Sequence, residues 1–251
     1  VETCCGAASP LAYRVPSLIL GSVSIYLLYL LGRELHSERA GLWAATIGAL
    51  APIVALAGVL ILPDAPLLVF TLLTVLVLLK IADAPTWPLW VFGGAALALA
   101  LASKYQAGLI PISVLIWMVT TKIGRRWFVH PGFYVAVAVA LLGLLPVLVW
   151  NMQHDWASFM FHSARAGGGV SFENFGLMAL GQSLYLLPLV AILGVRELVG
   201  RANWLDPRKR LLMLIALGPI VMFNAIYILS RGTLPHWSTP GWICLFPLIG
   251  I

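Results

Sequence analysis

Four short polar clusters, separated by long apolar stretches, contain the side chains of this sequence that could do chemistry. They combine a carboxylate, an ammonium group, guanidinium groups and imidazoles with prolines and aromatic residues. The clusters are Leu62 to Pro66, Ser103 to Tyr105, Trp150 to Arg165 and Arg231 to Trp237. Cationic side chains bind phosphate, and carboxylates and imidazoles move protons. Together the clusters predict one site for an anionic ligand.

Asp64 in the first cluster supports two interpretations. With Pro66 two residues later, it is typical of a helix N-cap, whose carboxylate faces the first free amides. A carboxylate beside a long apolar stretch is also costly unless it is paired, hydrated or functional. The sequence leaves a capping role and a site role equally open.

Lys104 and Arg231 are cations suited to an anionic ligand. The Lys104 ammonium is a compact charge partner for phosphate, and the Arg231 guanidinium could bind phosphate through two hydrogen bonds. Tyr105 adds a phenol beside Lys104, and His236 adds an imidazole after Arg231. Both cations could instead extend to lipid headgroups as snorkelling side chains.

The third cluster contains more polar residues than an aromatic belt at a membrane interface requires. Tryptophans of this kind fit the aromatic belt at a membrane interface. The residues that exceed this role are Asn151, His154, Asp155 and, further along, Arg165. We therefore include them among the candidate ligand-binding residues.

No cofactor follows with certainty from these clusters. His154 and His162 could bind a metal or move protons, but their spacing is weak evidence for zinc. Asp64, His154 and His236 could contribute to a divalent metal site, if the fold brings them together.

The elements that must position these residues are membrane-spanning helices. The chain is 61% hydrophobic and 10% charged, with a mean hydropathy of +1.00, which leaves too little polar surface for a soluble globule. Apolar runs long enough for helical spans recur along the whole length. The sequence predicts an all-α polytopic transmembrane helical bundle with about nine spans, as a single domain over residues 1–251.

The expected spans and loops follow the apolar runs. Residues 1–13 are the tail of a first outer loop, and residues 151–175 form a long outer loop. Glycine and alanine are concentrated in 41–58 and 93–102, which predicts helices in the bundle interior. The spans lie near 15–32, 41–61, 65–82, 87–102, 107–121, 132–150, 176–195 and 211–229, with a ninth from about 241.

Positive charge is divided unequally between the two sides of this bundle. Of the 15 Lys and Arg residues, only Arg14, Lys104, Arg165 and Arg231 fall in alternate loops on the side of the polar clusters. The positive-inside rule therefore turns the clusters outward, away from the cytoplasm. Arg14 is the start of a span. The net charge of +6 lies in short loops beside spans, so membrane lipids explain it and nucleic acid is not expected as a partner.

The order of these motifs resembles the polytopic glycosyltransferases of the protein O-mannosyltransferase and aminoarabinose transferase type (glycosyltransferase family 39), within the GT-C superfamily. The resemblance covers essentially the whole chain, although each motif is short. The matching motifs are Arg14 to Ser17, Gly32 to Leu35, Leu62 to Pro66, Ser103 to Tyr105, Trp150 to Trp156 and Leu234 to Trp237.

This resemblance implies sugar transfer on the outer face of a membrane, such as the bacterial inner membrane. The donor would be a polyprenyl-phosphate-linked sugar, and the acceptor a lipid, a glycan or a protein. Asp64 and His236 would have supporting catalytic roles. The residues expected to contact the donor are Lys104, Tyr105, Asn151, His154, Asp155, Arg165 and Arg231.

The resemblance also implies that the main catalytic base lies outside this sequence. In the family that base is an Asp in the first outer loop, ahead of the position of Val1, and Glu2 does not match its motif. The chain begins without Met and ends within an apolar run, so it looks clipped at both ends. We therefore expect the 251 residues alone to be inactive.

Two other functions compete with this one. A transporter or flippase for a lipid-linked intermediate would need charged residues near the middle of spans, where this sequence has almost none. An O-antigen-ligase-type GT-C enzyme would also use Arg and His in a long outer loop, but the Pro-Asp-Ala and Ser-Lys-Tyr motifs argue against it.

Overall fold

The computed structural model describes residues 10–163, 171–230 and 234–250, and within them the regular structure is helical, with no strand. The first half contains α1 (Pro10–Leu35), α2 (Glu38–Leu50), α3 (Pro52–Val59), α4 (Asp64–Asp83), α5 (Trp87–Ser103), α6 (Leu109–Thr120) and α7 (Lys122–Arg125). The second half contains α8 (Pro131–Leu142), α9 (Leu145–Gln153), α10 (Ala157–Ser163), α11 (Phe172–Leu186), α12 (Pro188–Val199), α13 (Arg201–Leu205), α14 (Pro207–Ser230), α15 (Thr239–Ile243) and α16 (Phe246–Ile249). Short 3-10 turns occupy Tyr105–Gly108, Arg126–Val129 and Pro235–Ser238.

Four helical segments of the described chain are long and apolar enough to cross a membrane, and three bent pairs raise the number to at most seven. The four are Leu11–Leu35, Asp64–Asp83, Pro131–Gln153 and Pro207–Leu229. The bent pairs are Glu38–Leu50 with Pro52–Val59, Tyr105–Thr120 with Lys122–Val129, and Glu173–Leu186 with Pro188–Val199. The apolar α5 is shorter, with 17 residues. The polytopic all-α architecture is thus the expected one, with spans that are more broken than the sequence predicts.

Proline explains two of these breaks. The expected spans 41–61 and 176–195 are each interrupted, because the chain bends by 66° before Pro52 and by 107° before Pro188. The residue before a proline is disfavoured in helical conformation. Accordingly, Ala51 is extended, and Leu187 has a φ of 74°.

The most enclosed of the long helices is α4, which has no glycine. The small-residue segments were predicted to be the interior helices, but they are more exposed than α4. Leu42 and Leu50 of α2 and Phe92 of α5 are all exposed. Small residues instead mark where two backbones meet. A methyl group on Gly94 of α5 would lie 2.6 Å from the carbonyl oxygen of Ala136 in α8.

Ion pairs join the helix ends that contact the basic loops. The Glu34 carboxylate at the end of α1 accepts from Lys80 of α4 and from Arg208 of α14, each at 3.1 Å. Arg208 also pairs with Asp83 at 3.2 Å, and Arg210 donates to the carbonyl of Thr120. Because α4 and α5 form an antiparallel hairpin, Asp64 and Lys104 lie at the opposite end of the bundle. The charge division seen in the sequence therefore corresponds to two ends of one fold.

Candidate functional site

Asp64 and Lys104 form an ion pair at the end of the α4–α5 hairpin. The Lys104 ammonium donates to both carboxylate oxygens of Asp64, at 2.9 and 3.1 Å. The two side chains are only 12% and 21% exposed. The N-cap of α4 is Pro63, so the N-cap interpretation of Asp64 was wrong, although its charge still lies at a helix N-terminus. Lys104 likewise does not snorkel freely, since its ammonium is bound in the pair.

His236 lies close enough to this pair to respond to both of its charges. Burial is the main cause that lowers the pKa of His236, the positive charge of Lys104 lowers it further, and the negative charge of Asp64 raises it. The imidazole is therefore neutral at pH 7 and able to accept a proton or a hydrogen bond. The sequence named Asp64, Lys104 and His236 from three separate clusters, and the fold brings them together.

The titration of His236 tests this electrostatic arrangement. We expect its midpoint below the ordinary value of about 6.5, to rise in Lys104→Met and to fall further in Asp64→Asn. Since the unfolded chain binds this proton more readily, the stability contributed by neutral His236 is present above that ordinary value and is lost as pH falls below it. Histidine NMR in nanodiscs, assigned with His236→Gln, measures the midpoint. Equal midpoints in all three proteins would contradict the arrangement.

The turn that contains His236 packs against α11. A methyl group on Gly181 would lie 2.7 Å from the ring of Pro235, and the ring of Tyr185 meets His236 edge-on at 6.2 Å. The next residue, Trp237, faces Lys104, whose ammonium lies 5.8 Å from the indole centroid. A cation at this distance from an aromatic face is attracted to it. Trp237 thus forms one wall of the site.

Tyr105 connects the ion pair to the loop after α9. Its hydroxyl lies 2.9 Å from the hydroxyl of Ser158, and its ring stacks on Phe159 at 5.8 Å. Ser158 donates from its amide and its hydroxyl to the side-chain oxygen of Asn151. Asn151 is fully buried and also donates to the carbonyl of Val147. In this arrangement the amide of Asn151 positions the loop, and its contact with a ligand stays a prediction.

His154 and Asp155 lie on an exposed turn. The His154 ring stacks on Trp150 at 4.2 Å, and its Nδ1 lies 2.8 Å from the Trp150 carbonyl oxygen. Asp155 and Trp156 both have positive φ, at 51° and 58°. In the part of the chain that the structure describes, neither His154 nor Asp155 forms a hydrogen bond or ion pair with the Asp64–Lys104 pair. The fold does not assemble them into one polar cluster with that pair.

The remaining residues expected at the site lie wholly or partly outside the described residues. Arg165 and Arg231 fall outside the described residues, and the described part of His162 is its backbone in α10. Among the described residues, no three His, Cys, Asp or Glu side chains are grouped so that they could hold a metal. The suggested divalent site of Asp64, His154 and His236 is therefore not formed by these residues.

Two cavities adjoin each other near this end of the bundle, and the first of them includes Lys104 of the ion pair. The first, which we call the headgroup pocket, has a volume of about 540 Å³ and is lined by Ser103, Lys104, Gln106 and Trp237 among others. The second, which we call the apolar groove, has a volume of about 700 Å³. Its walls come from α4, α5, α6, α8, α9 and α10, with two of the 3-10 turns, and are almost entirely hydrocarbon and aromatic. A cavity that contains the Lys104 ammonium thus adjoins one that is almost wholly apolar.

Three residues that line or support the headgroup pocket were not predicted from the sequence. Gln106 has a buried side-chain oxygen that accepts no hydrogen bond from the described residues. Ser158 links Tyr105 to Asn151, and Gly108 lines both cavities. Gln106 and Gly108 lie within three residues of the end of the Ser-Lys-Tyr motif. The signal available in the sequence was the end of the helix near Ser103, which makes the residues just after it candidates for the same site. Ser158 had no signal, because its role depends on the turn at Asp155 and Trp156.

Comparison with solved structures identifies the fold. The crystal structure of ArnT from Cupriavidus metallidurans in the apo state matches with a TM-score of 0.67 and 18% sequence identity. The match covers 94% of this chain and 44% of that chain, so this sequence spans less than half the length of ArnT. It confirms the GT-C-like fold predicted from the motifs.

Comparison at the sequence level identifies the family. No curated protein matches the chain. A family model, that of the dolichyl-phosphate-mannose-protein mannosyltransferases, matches residues 4–150, a segment that includes Asp64 and Lys104. Because this match extends over more than half of the chain, the protein belongs to the dolichyl-phosphate-mannose-protein mannosyltransferase family of GT-C membrane proteins.

Proposed function

We propose that this chain is part of a membrane glycosyltransferase that moves a sugar from a polyprenyl-phosphate-linked donor to a lipid, glycan or protein acceptor. The reaction takes place on the outer face of the membrane, at the end of the bundle that carries Asp64 and Lys104. The bacterial inner membrane is the proposed location. The observation that carries the proposal is the adjoining pair of cavities, one with an ammonium group and one of hydrocarbon.

A lipid phosphate is the ligand that suits both cavities. Its phosphate requires cations at the level of the headgroups, and its hydrocarbon tail requires an apolar groove. Lys104 supplies one cation, but Asp64 neutralises it in the pair. We therefore assign further positive charge for the phosphate to Arg165 and Arg231, the other two cations of the outer motifs.

The remaining polar groups would act on the sugar and the acceptor. The departing lipid phosphate leaves readily once its charge is stabilised, so the chemistry chiefly needs cations and an acceptor for the proton of the nucleophile. Asp64 holds Lys104 in place, and neutral His236 can accept a hydrogen bond. The open acceptor oxygen of Gln106 is suited to a hydroxyl of the sugar.

Transfer by the full-length protein tests the proposal. In proteoliposomes with a radiolabelled polyprenyl-phosphate sugar, we expect the label to leave the carrier and appear in the acceptor fraction. Asp64→Asn should lower this rate about a hundredfold, because it weakens the hold on Lys104 and so misplaces its ammonium. Asp83→Asn is the matched control, since Asp83 pairs with Arg208 at the other end of the bundle.

Two results would contradict the proposal. One is movement of the intact lipid-linked sugar across the membrane without cleavage of the glycosidic bond, which would make the protein a transporter. The other is an equal rate in Asp64→Asn and Asp83→Asn, which would move the site away from the ion pair.

A further inference from the structure

A chain of three polar side chains connects the helices around the turn that contains His236. The Trp242 indole nitrogen of α15 donates to the side-chain oxygen of Gln182 in α11, at 3.1 Å. The Gln182 amide nitrogen in turn donates to the side-chain oxygen of Asn224 in α14, also at 3.1 Å. Asn224 donates to the carbonyl of Ile220, at 2.7 Å. We call Gln182, Asn224 and Trp242 the amide network.

The surroundings of the amide network make its hydrogen bonds hard to replace. Gln182 and Trp242 are buried, and Asn224 is half-buried. Helix α14 is long and apolar enough to cross a membrane, and α11 is one half of a bent pair of that kind. An N–H group that loses its partner in such a setting finds little water to bind instead. The network therefore holds α11, α14 and α15 in one arrangement.

On the α11 side, Gln182 lies next to the residues that pack against the turn. Gly181 precedes it, and a methyl group on Gly181 would lie 2.7 Å from the ring of Pro235. Tyr185 is three residues further along, on the same face of the helix, and its ring meets His236 edge-on. The position of α11 therefore sets where the His236 imidazole can lie.

Helices α14 and α15 contact the same turn from residues close to the network. Phe223 precedes Asn224, and its ring meets Trp237 edge-on at 5.8 Å. Helix α15 follows the turn directly, and the hydroxyl of its first residue, Thr239, donates to the carbonyl of His236. The turn thus contacts three elements that the amide network connects.

We infer that Gln182 is a positioning residue, which holds His236 and Trp237 at the headgroup pocket through the amide network. The inference rests on the proposed function and adds a residue to its site. Gln182 is the centre of the network, since it accepts from one partner and donates to the other. Trp237 lines the headgroup pocket, whereas none of the described residues that line it belongs to the network. Gln182 therefore acts on a ligand only through the turn.

Gln182→Leu tests this role in the full-length protein. Leucine keeps most of the bulk of the side chain and removes both hydrogen bonds. We expect the NMR titration midpoint of His236 in nanodiscs to rise toward about 6.5, because a loosened turn exposes the imidazole to water. The kcat for sugar transfer in proteoliposomes should fall about tenfold to a hundredfold, as expected when site residues are misplaced.

Asn203→Leu is the matched control for a loss of stability alone. Asn203 is also a buried amide with two hydrogen bonds, but it lies in α13 and both bonds go to Glu197. This variant should unfold more easily in mixed micelles, while the His236 midpoint and kcat stay as in the unmodified protein.

Two milder changes to the network complete the test. Gln182→Glu should restore transfer to within about twofold, because a buried, protonated carboxyl group can accept from Trp242 and donate to Asn224. Trp242→Phe removes the indole N–H and keeps a ring, so it should raise the His236 midpoint even if Gln182→Leu does not fold.

Three results would overturn the positioning role. These are an unchanged His236 midpoint in Trp242→Phe, an equal shift of the midpoint in Asn203→Leu, and a Gln182→Glu protein that transfers sugar as slowly as Gln182→Leu. The titration does not depend on sugar transfer, so it separates this inference from the proposed function. The expected shifts in a protein whose unmodified form transfers no sugar would overturn the proposed function alone.

Discussion

Lys104→Met is expected to lower kcat/KM for sugar transfer by about a hundredfold to a thousandfold, the loss typical of removing one fixed donor to developing charge. The ammonium is mostly buried and lines the headgroup pocket, so it is positioned to act on a ligand bound there. Its loss also leaves the Asp64 carboxylate without a cation, and we expect stability to fall by about 1–3 kcal/mol. Initial rates in proteoliposomes and unfolding in mixed SDS micelles measure the two effects.

A second substitution separates the two effects of Lys104. In Asp64→Asn/Lys104→Met, no charge is left unpaired, so stability should recover while transfer stays low. Lys80→Met is the control, because Lys80 forms a comparable ion pair with Glu34 but lies 46% exposed at the other end of the bundle. Recovery of transfer in the double variant would show that Lys104 only neutralises Asp64.

Gly143→Ala is expected to destabilise the protein by about 1–3 kcal/mol, the usual cost of forcing extra volume into a packed contact. The residue has a φ of −66°, so alanine is conformationally acceptable there. The cost arises because the added methyl group would overlap the backbone of Ala98 in α5. Gly143 directly follows α8, and both α5 and α8 line the apolar groove. We therefore expect lipid binding to weaken together with stability.

Gly176→Ala provides the comparison for this prediction. It makes the same chemical change in α11 without a neighbour and should stabilise the protein by about 0.5–1 kcal/mol through helix propensity. Unfolding midpoints in mixed micelles, measured side by side, give both signs. Equal stabilities for the two variants would mean that α5 and α8 are not in close contact.

Much of the fold could be predicted because hydrophobic length and charge act locally. The position of α4 follows from one apolar run that begins at Asp64 and ends at Asp83. The bends before Pro52 and Pro188 also had a local signal, the prolines themselves, although the predicted span bounds did not include a break there. The burial of α4 had no local signal in the sequence, since burial depends on which neighbours surround a helix.

The candidate site was predictable in part for a similar reason. Asp64, Lys104 and His236 stood out because charged and imidazole groups are rare beside apolar runs. Their order along the chain could not reveal that Asp64 would bind Lys104 itself, which is a long-range contact. Asn151 stood out by the same rule, and the sequence could not show that it is buried and bonded to Ser158, because polarity alone does not distinguish a ligand contact from a loop anchor.

The turn at Asp155 and Trp156 has an energetic consequence for the stacked rings of Tyr105 and Phe159. Two adjacent non-glycine residues in left-handed conformation each cost about 1–3 kcal/mol. The hydrogen bonds of Asn151 to Ser158 must offset that cost to keep Phe159 against Tyr105. The position of Phe159 against Tyr105 is therefore maintained at the expense of backbone strain in the turn. We expect a change at Asn151 to let the turn relax and both rings move.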